Sequence, residues 1–407
     1  MIRFIHTADI HYGMENYGRV DPTTGIHSRL LDFDRAFNAC IDFAIEKEVD
    51  FFLFCGDAYK TAHPSQTQQR LLIQSFFRLY DARIPIIIIV GNHDHPLSFG
   101  KANALDLFGE FPLDGFHVIS KPQTIQLQTK HGPINIVGMP WPTRNSVALK
   151  QHEADSTKIT EYISKAASRI IADHAQKLDP AIPAVLAGHL TVSSGVFSGS
   201  EKRAVYGTDP LFMPSQLAIS PFDYVALGHL HRNQNLNKSG TIPIVYSGSI
   251  ERVDFGERKE QKGFCHVSIE KKGAATYDFI STPTRPFLQI EVTLLKSIPQ
   301  TKQLLSEIEK HSIKDAVLKI LYHLPEGEQD LVDLKAIQHA CRSAMYIVGI
   351  FPIRPIVQRT RRIADNQSSL TMQELLHNYF TDKKLPSETS QLLVEKALDL
   401  LEDETDI

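Results

Sequence analysis

Cysteine is scarce in this chain of 407 residues, which has four widely separated cysteines and no Cys-x-x-Cys pair. Their spacing argues against a disulfide-stapled scaffold or a thiolate metal site, and it indicates reduced structural thiols. Long apolar runs are also missing, since none approaches the roughly 20 residues that cross a bilayer. The N-terminus enters a strand pattern with no basic segment or cleavage site before it. We therefore expect a cytoplasmic protein with structural thiols at Cys40, Cys55, Cys265 and Cys341.

A strong excess of either charge is missing as well, because the formal net charge is -4. Such a chain does not hold nucleic acid through bulk electrostatics, so any contact with DNA requires local basic patches. Taken alone, basic clusters lie more often on solvated faces than in binding sites. The two candidate clusters are Arg252, Arg258, Lys259 and Lys262, and Arg354, Arg359, Arg361 and Arg362.

Residues 1–282 alternate strand patterns with helical ones. Apolar stripes predict helices near residues 65–80 and 157–177. The strand–helix–strand spacing predicts βαβ units and a largely parallel first half. The expected fold class is α/β, with two β-sheets packed face to face and helices on their outer faces.

The stretch STPTRPF, residues 281–287, interrupts this pattern and marks a domain boundary. The strand and helix patterns beyond it predict a small α+β domain over residues 283–355. Residues 366–407 predict a pair of helices, the first of which starts with a capping box of Thr371 and Glu374. These helices can be satellites of the main core or a docking element for a partner, and spacing alone leaves both open. Their aligned apolar residues are Leu375, Leu376, Tyr379, Phe380, Leu393, Ala397, Leu400 and Leu401.

Potential metal ligands recur in one context, at the end of an apolar, β-branched run. Each run predicts a buried strand, and each polar residue falls where the strand stops. In an open α/β sheet, the carboxyl ends of the strands share one edge, so we expect these side chains to converge there. They are Asp9, His11, Asp57, Asn92, His93, Asp94, His189, His229 and His231.

This residue set predicts a site for two metal ions. One ion is expected on Asp9, His11 and His231, the second on Asn92, His189 and His229, with Asp57 bridging them. Two cations about 3.5–4 Å apart stabilise the attacking and leaving oxygens of an in-line phosphoryl displacement. The abundance of imidazole favours Mn²⁺, Fe²⁺, Co²⁺ or Zn²⁺ over Mg²⁺ or Ca²⁺. The alternative role for His231 is that of a partner of His229.

His93 is the residue predicted to transfer a proton. Its imidazolium can stabilise the developing charge or protonate the departing oxygen. Asp94 is expected to orient this ring, as carboxylates commonly orient catalytic histidines. The alternative for His93 is that of a turn residue at a strand end, while His27, His63 and His95 lack such a context.

In their order along the chain, the motifs D-x-H, G-D, G-N-H-D, G-H and G-H-x-H resemble those of the calcineurin-type metallophosphoesterases. That resemblance implies the four-layer metallophosphoesterase fold and hydrolysis of phosphate esters. Two further stretches, GSIERVDFGERKEQKGF (248–264) and STPTRPF (281–287), resemble the SbcD family of nuclease subunits. This family is the bacterial counterpart of the archaeal and eukaryotic double-strand-break repair nuclease.

The resemblance to the SbcD family covers the whole chain. It implies a Mn²⁺-dependent 3′→5′ exonuclease on double-stranded DNA and an endonuclease on single strands and hairpins, acting in DNA repair and recombination. It also implies that residues 283–355 cap the DNA and that a homodimer binds an SbcC-type coiled-coil ATPase through residues 366–407. One position departs from the pattern: archaeal members carry a histidine three residues after the bridging Asp, where this chain has Lys60, with His63 three positions further on.

Two other classes of function are compatible with the same site residues. A stand-alone metallophosphoesterase acting on nucleotides or other small phosphodiesters shares every predicted ligand. A metal-stabilised scaffold without activity has no need of His93 beside an intact ligand set. The chain beyond residue 286 separates the first alternative from a nuclease subunit, because a small-molecule enzyme does not need a capping domain and a helical tail.

Overall fold

The structure is a computed structural model that describes residues 1–95, 102–143, 156–199, 209–354, 371–383 and 385–403. The predicted helices near residues 65–80 and 157–177 are confirmed as α2 and α4. In chain order the helices are α1 Ser28–Glu46, α2 Gln66–Asp81, α3 Asp106–Glu110, α4 Ser156–Gln176, α5 Pro214–Leu217, α6 Gln300–Ile308, α7 Leu334–Ala340, α8 Met372–Asp382 and α9 Ser387–Asp403.

One six-stranded sheet combines the first four strands of the chain with a late hairpin. Its strands are β1 Ile2–Thr7, β2 Phe51–Phe54, β3 Ile86–Ile89, β4 Phe116–Ile119, β13 Gly263–Ile269 and β14 Ala275–Ser281. Their spatial order is β14-β13-β1-β2-β3-β4. The strands from β1 to β4 are parallel, whereas β13 and β14 pair antiparallel at the other edge.

A second six-stranded sheet is built from the middle of the chain. Its strands are β5 Gln123–Thr129, β6 Gly132–Met139, β7 Ala184–His189, β10 Tyr224–Gly228, β11 Gln234–Asn235 and β12 Ile244–Tyr246. Their spatial order is β11-β12-β10-β7-β6-β5, with a parallel centre from β12 to β6. A separate short pair consists of β8 Thr191–Val192 and β9 Leu211–Phe212.

Three apolar layers separate four layers of secondary structure. Between the two sheets, Phe4 and Phe51 stack at 4.5 Å between ring centroids, and Tyr224 packs edge-on against Phe4. Helices α1 and α2 cover the outer face of the first sheet, where Phe37 and Phe76 pack against its strands. Helix α4 covers the second sheet. The predicted α/β class, with two packed sheets and flanking helices, is confirmed.

A small parallel sheet follows the two large ones. Its strands are β15 Phe287–Thr293, β16 Val317–His323 and β17 Tyr346–Ile353, and they pair in chain order. Leu304 and Ile308 of α6, together with Ile337 of α7, pack with this sheet in a core of its own. The strand and helix patterns predicted beyond residue 286 are therefore present.

An ion pair and an aromatic cluster join the start of the small sheet to helix α1 and to the long loop after β1. Arg285, just before β15, donates from Nε and Nη2 to the two carboxylate oxygens of Asp32 on α1, at 2.6 and 2.5 Å. The Phe287 ring lies 5.6 Å from that of Phe255 and 5.8 Å from that of Tyr17. Tyr17 belongs to the long loop after β1, so this loop packs against the small sheet.

Contact density divides the chain into two compact units. The larger unit contains Met1–Leu324 and Glu328–Ile353, so it includes the small sheet, and the division predicted at residue 283 stays a prediction. The second unit contains Pro325–Gly327 and Arg354–Ile407. Helices α8 and α9 of this unit contact each other, and the capping box of Thr371 and Glu374 is confirmed. Among the described residues, no helix combines the length and apolarity needed to cross a membrane.

Candidate metal centre

Five parallel strands end at one edge of the paired sheets, and the predicted site residues follow them. The backbone there bends sharply, because Asp9, His11, Asp57 and His229 all have a positive φ, between 52° and 104°. Such conformations cost on the order of 1–3 kcal/mol each in residues other than glycine and cluster at functional sites. A Cβ on Gly228 would lie 2.0 Å from the Cys55 carbonyl oxygen, so only glycine allows these two loops to meet.

The first predicted ligand group is assembled from two distant segments. Atoms of Asp9, His11 and His231 lie within 4.8 Å of one another, and all three residues are buried. The Nε2 atoms of His11 and His231 are 3.0 Å apart. The Asp9 carboxylate accepts hydrogen bonds from the backbone N–H of His229, at 3.1 and 3.0 Å, which fixes it at the meeting point of β1 and β10.

The second predicted ligand group lies beside the first. Atoms of Asp57, His189 and His229 lie within 4.8 Å of one another. The Asn92 side-chain oxygen is 2.9 Å from His189 Nε2 and 3.1 Å from His229 Nδ1, so it joins this group. The structure thus brings together every residue assigned to the second ion.

Asp57 lies between the two groups, as the bridging role requires. Its Oδ2 atom is 3.4 Å from His189 Nε2 of the second group and 3.8 Å from His11 Nε2 of the first. Its Oδ1 atom accepts a hydrogen bond from the backbone N–H of His93 at 2.9 Å. One carboxylate therefore has an oxygen available to both groups, and its role as the bridging ligand stays a prediction.

The donor set fits divalent cations. His189 Nδ1 lies 2.7 Å from the Cys55 carbonyl oxygen, and His231 Nδ1 lies 2.9 Å from a carboxylate oxygen of Glu257. Each of these acceptors takes the Nδ1 proton, which leaves the Nε2 lone pair directed into the cluster. Imidazole lone pairs, carboxylates and an amide oxygen in one buried place match borderline metals such as Mn²⁺, Fe²⁺, Co²⁺ and Zn²⁺.

Negative charge is concentrated at Asp57. Burial raises its pKa, but the positive charge of His189 and His93 outweighs burial and holds the pKa well below its usual range. Burial also raises the pKa of Asp9, to about 7, despite the opposing effect of His189 and His231. For His189, burial lowers the pKa, whereas Asp57 more than compensates and raises it to about 9, so that a cation and a proton compete for the same Nε2 lone pair.

His93 is placed at the exposed side of the cluster. Its ring meets that of His11 edge to face at 5.0 Å between centroids, and its side chain is exposed. Nδ1 of His93 lies 2.8 Å from the backbone carbonyl oxygen of Lys60, which turns the opposite ring nitrogen away from the loop. A ring fixed at one nitrogen and open at the other suits proton transfer to a substrate, and that role stays a prediction.

The expected contact between Asp94 and the His93 ring is corrected by the structure. The Asp94 carboxylate is completely buried and accepts backbone N–H groups of Asp57, Ala58, Tyr59 and Gly91, at 2.8 to 3.3 Å. An ionised carboxylate can accept several such bonds, and these loops have unpaired N–H groups to offer. Asp94 thus joins the loops after β2 and β3, and the Lys60 carbonyl group orients His93.

We expect Asp94→Ala to lower the thermal stability of the protein strongly. The change leaves several buried N–H groups without an acceptor, and each such group costs about 1–3 kcal/mol. Melting curves followed by circular dichroism measure the effect, with Asp114→Ala at a surface turn as the control. An Asp94→Ala protein that melts with the control and loses only activity would restore the direct role on His93.

Two carboxylates at the site were missed in the sequence. Glu257 lies 2.9 Å from His231 Nδ1, and Asp209 lies 3.1 Å from His229 Nε2. Burial raises the pKa of Glu257, but Lys262 and His231 outweigh it and lower the pKa to about 2. The available signal for Glu257 was its place in the stretch 248–264, whereas Asp209 follows no strand pattern. Each carboxylate thus holds the outer nitrogen of a predicted ligand.

The side chains of the two candidate basic clusters lie in different environments. Lys262 is buried against Glu257, and Arg252 is half-buried, donating to Thr284 Oγ1 and to the carbonyl oxygens of Arg285 and Glu260. These two side chains therefore serve the interior and are not available as a surface patch. In the second cluster, Arg354 is exposed, whereas Arg359, Arg361 and Arg362 lie outside the described residues.

Lys60 and His63, at the position where this chain departs from the archaeal pattern, are both exposed.

Comparison with known proteins identifies a family for the first half of the chain. The model of the calcineurin-like phosphoesterases matches residues 2–233, a range that contains every predicted metal ligand. A dimetal phosphatase from Danio rerio is 11% identical, with 69% of this chain and 99% of that chain covered and a TM-score of 0.40. The protein TT1561 of Thermus thermophilus is 12% identical, with coverages of 68% and 98% and a TM-score of 0.38.

Proposed function

We propose that this chain, which belongs to the calcineurin-like phosphoesterase family and matches its model over residues 2–233, is the DNA nuclease subunit of an ATP-dependent complex. The proposed reactions are 3′→5′ exonuclease action on double-stranded DNA and endonuclease action on single strands and hairpins, supported by Mn²⁺. The proposed assembly is a homodimer bound to an SbcC-type coiled-coil ATPase. The family itself accounts for a metal-dependent hydrolase of phosphate esters.

The site residues have separate tasks in this proposal. Two divalent cations, when bound, supply Lewis acidity and a nucleophile at neutral pH. Asp9, His11 and His231 would hold one of them, and Asn92, His189 and His229 the other, with Asp57 between. His93 faces the open side of the cluster, where it delivers a proton to the departing oxygen of the cleaved phosphodiester. The Lys60 carbonyl group keeps the His93 ring in that orientation.

The observation that carries the nuclease proposal is the small domain beyond the phosphoesterase layers. It is a folded three-stranded domain with its own core, and the ion pair of Arg285 with Asp32 joins it to α1. Phe255, in the turn before β13, packs against Phe287 at the start of β15, the first strand of the small domain. An enzyme for small phosphodiesters has no need of this addition, whereas an extended DNA substrate offers surface for it to cover.

The test is a Mn²⁺-supported digestion of an end-labelled DNA duplex, with and without the ATPase partner. We expect nucleotides released from 3′ ends, faster with the ATPase and ATP, and nicks in a hairpin substrate. Asp57→Asn serves as the inactive control for contaminating nucleases. If the protein hydrolyses small chromogenic diesters or nucleotides but cleaves neither the duplex nor the hairpin, the result would instead favour a stand-alone metallophosphoesterase.

The second unit supports the proposed partner. Its two helices expose large apolar side chains, including Tyr379 at 56%, Leu392 at 56% and Leu393 at 38% of their accessible area. Short helices gain most of their stability from an apolar surface against which they pack. A helical ATPase surface would supply one by the helix-in-groove mode of recognition. The side chains of Leu400 and Leu401, predicted on the same stripe, lie outside the described ones.

Deleting the residues after about 365 is expected to separate hydrolysis from partner binding. All predicted site residues belong to the larger compact unit, so the shortened protein should still hydrolyse a chromogenic phosphodiester with Mn²⁺. It should no longer co-purify with the ATPase, and ATP should no longer stimulate its cleavage of duplex DNA. Pull-down and nuclease assays measure the two effects.

A substitution pair supplies a milder version of this test in the complete chain. Tyr379→Ser combined with Leu392→Ser removes two exposed apolar groups from the helices, and Leu331→Ser, at a position with 71% exposure in the larger unit, is the matched control. We expect only the first variant to lose the ATPase. A shortened or substituted protein that still binds its partner normally would make these helices a satellite of the fold.

A further inference from the structure

A short turn before β13 reaches into the metal centre from outside the predicted ligand set. The residues Phe255–Glu257 form a single 3₁₀ turn, which Asp254 caps by accepting the backbone N–H of Gly256 at 2.6 Å. The two ends of the turn have different contacts. Phe255 joins an aromatic cluster, whereas Glu257 contacts His231. The Glu257 side chain is fully buried.

Both carboxylate oxygens of Glu257 have assigned partners. Oε1 lies 2.9 Å from His231 Nδ1. Oε2 accepts the backbone N–H of Val253 at 2.8 Å and lies 2.9 Å from Nζ of the buried Lys262. Lys262 also donates to the His231 backbone carbonyl oxygen at 2.9 Å, so Glu257 and Lys262 hold the same histidine from its ring and from its main chain.

Stability alone is a weak reason for such a pair. A buried ion pair contributes little or nothing relative to apolar residues of similar volume, because desolvation offsets the Coulombic attraction. A carboxylate on the outer nitrogen of a metal-binding imidazole has a specific effect, since it fixes the tautomer and ring orientation and raises the basicity of the ligand. The geometry at His231 is that of this second case.

The turn itself is fixed from the side of the small domain. The Phe255 ring lies 5.6 Å from Phe287 of β15 and 6.2 Å from Tyr17 of the long loop. Nζ of Lys319 on β16 lies 5.7 Å from the centre of the Phe255 ring, within the range of a cation–π interaction. The turn that carries Glu257 therefore packs against the small domain through Phe255.

We propose that Glu257 is a positioning residue for the metal ligand His231, that Lys262 holds it in place, and that the Phe255 turn connects the small domain to this one metal position. The inference rests on the proposed function, in which His231 binds an ion. Loss of the Glu257 carboxylate is expected to weaken only the ion held by His231. The ligands His189 and His229 have other partners at their outer nitrogens, the Cys55 carbonyl oxygen and Asp209.

The test measures Mn²⁺ binding by isothermal titration calorimetry, together with the visible absorption of the Co²⁺-loaded protein. Glu257→Ala removes both the charge and the acceptor on His231, whereas Glu257→Gln keeps an acceptor and nearly the same volume. Glu260→Gln is the matched control, because Glu260 is the other carboxylate on Lys262, at 2.9 Å, and its substitution leaves the Glu257 carboxylate next to His231. Melting curves in EDTA establish that each variant is folded.

We expect the wild-type protein to bind two Mn²⁺ ions and Glu257→Ala to weaken one of them by about 10–100-fold. Glu257→Gln should lose less, with a changed Co²⁺ spectrum, and Glu260→Gln should match the wild type. If Glu257→Ala does not fold, the Mn²⁺ affinity and the Co²⁺ spectrum of Glu257→Gln test the proposal. Wild-type affinity for both ions in the two Glu257 variants would overturn the inference while leaving the proposed function intact. A wild-type protein that binds no Mn²⁺ would overturn both.

Discussion

Asp57→Asn is expected to abolish phosphodiester hydrolysis while the protein remains folded. The amide keeps an oxygen that can accept the His93 backbone N–H, which Asp57 Oδ1 now does at 2.9 Å. It loses the charge and the second oxygen, Oδ2, which lies near ring nitrogens of both ligand groups. A neutral amide is a poor bridge between two cations, so at least one ion should bind much more weakly. Hydrolysis of a chromogenic diester and the Mn²⁺ stoichiometry measure the two effects.

Asp50→Asn provides a matched control for this experiment. Asp50 is also a buried carboxylate, but its partners are the His131 ring and the backbone N–H of Arg3, away from the predicted ligands. We expect it to affect stability and not Mn²⁺ binding. An Asp57→Asn protein that binds two ions as tightly as the wild type, or that still hydrolyses the diester, would remove the basis for a bridging carboxylate.

His93→Leu is expected to lower hydrolysis by about 10²–10⁴-fold, the usual contribution of a general acid or base. Leucine keeps the backbone N–H that Asp57 accepts, so the loop after β3 should hold its shape. Both Mn²⁺ ions should remain bound, because every residue of the two predicted ligand groups is unchanged. Turnover at saturating Mn²⁺ measures the loss, and calorimetry measures the ions.

His93 also lies close enough to the ligand groups to act as a metal ligand itself. Its ring, His11 and Asp57 offer ligand atoms within 4.8 Å of one another, so His93 could itself hold a cation. In that case His93→Leu would lose metal and activity together. His63→Leu, a change at an exposed histidine in the loop after β2, should leave both unchanged and serves as the control for losing an imidazole.

Local patterns along the chain were enough to locate the strand ends and, with them, the neighbourhood of the site. Apolar, β-branched runs such as the one ending at Ile89 are buried in parallel strands, and a polar residue after such a run lies at the carboxyl edge. Helical periodicity located α2 and α4, and the capping box located the start of α8. These features are local, so the order of residues along the chain suffices to predict them.

The groups that hold the site residues in place come from distant parts of the chain and were found only in the folded structure. Asp94 accepts the backbone N–H of Asp57, 37 positions away, and Lys60 orients His93 through a carbonyl group. Since every residue has these backbone groups, no residue type signals such partners. Glu257 meets His231 through a 3₁₀ turn whose Phe255 packs against Phe287, and Lys262, predicted on a solvated face, is buried against Glu257. Contacts between distant segments depend on how the layers pack, which the local pattern of a sequence does not encode.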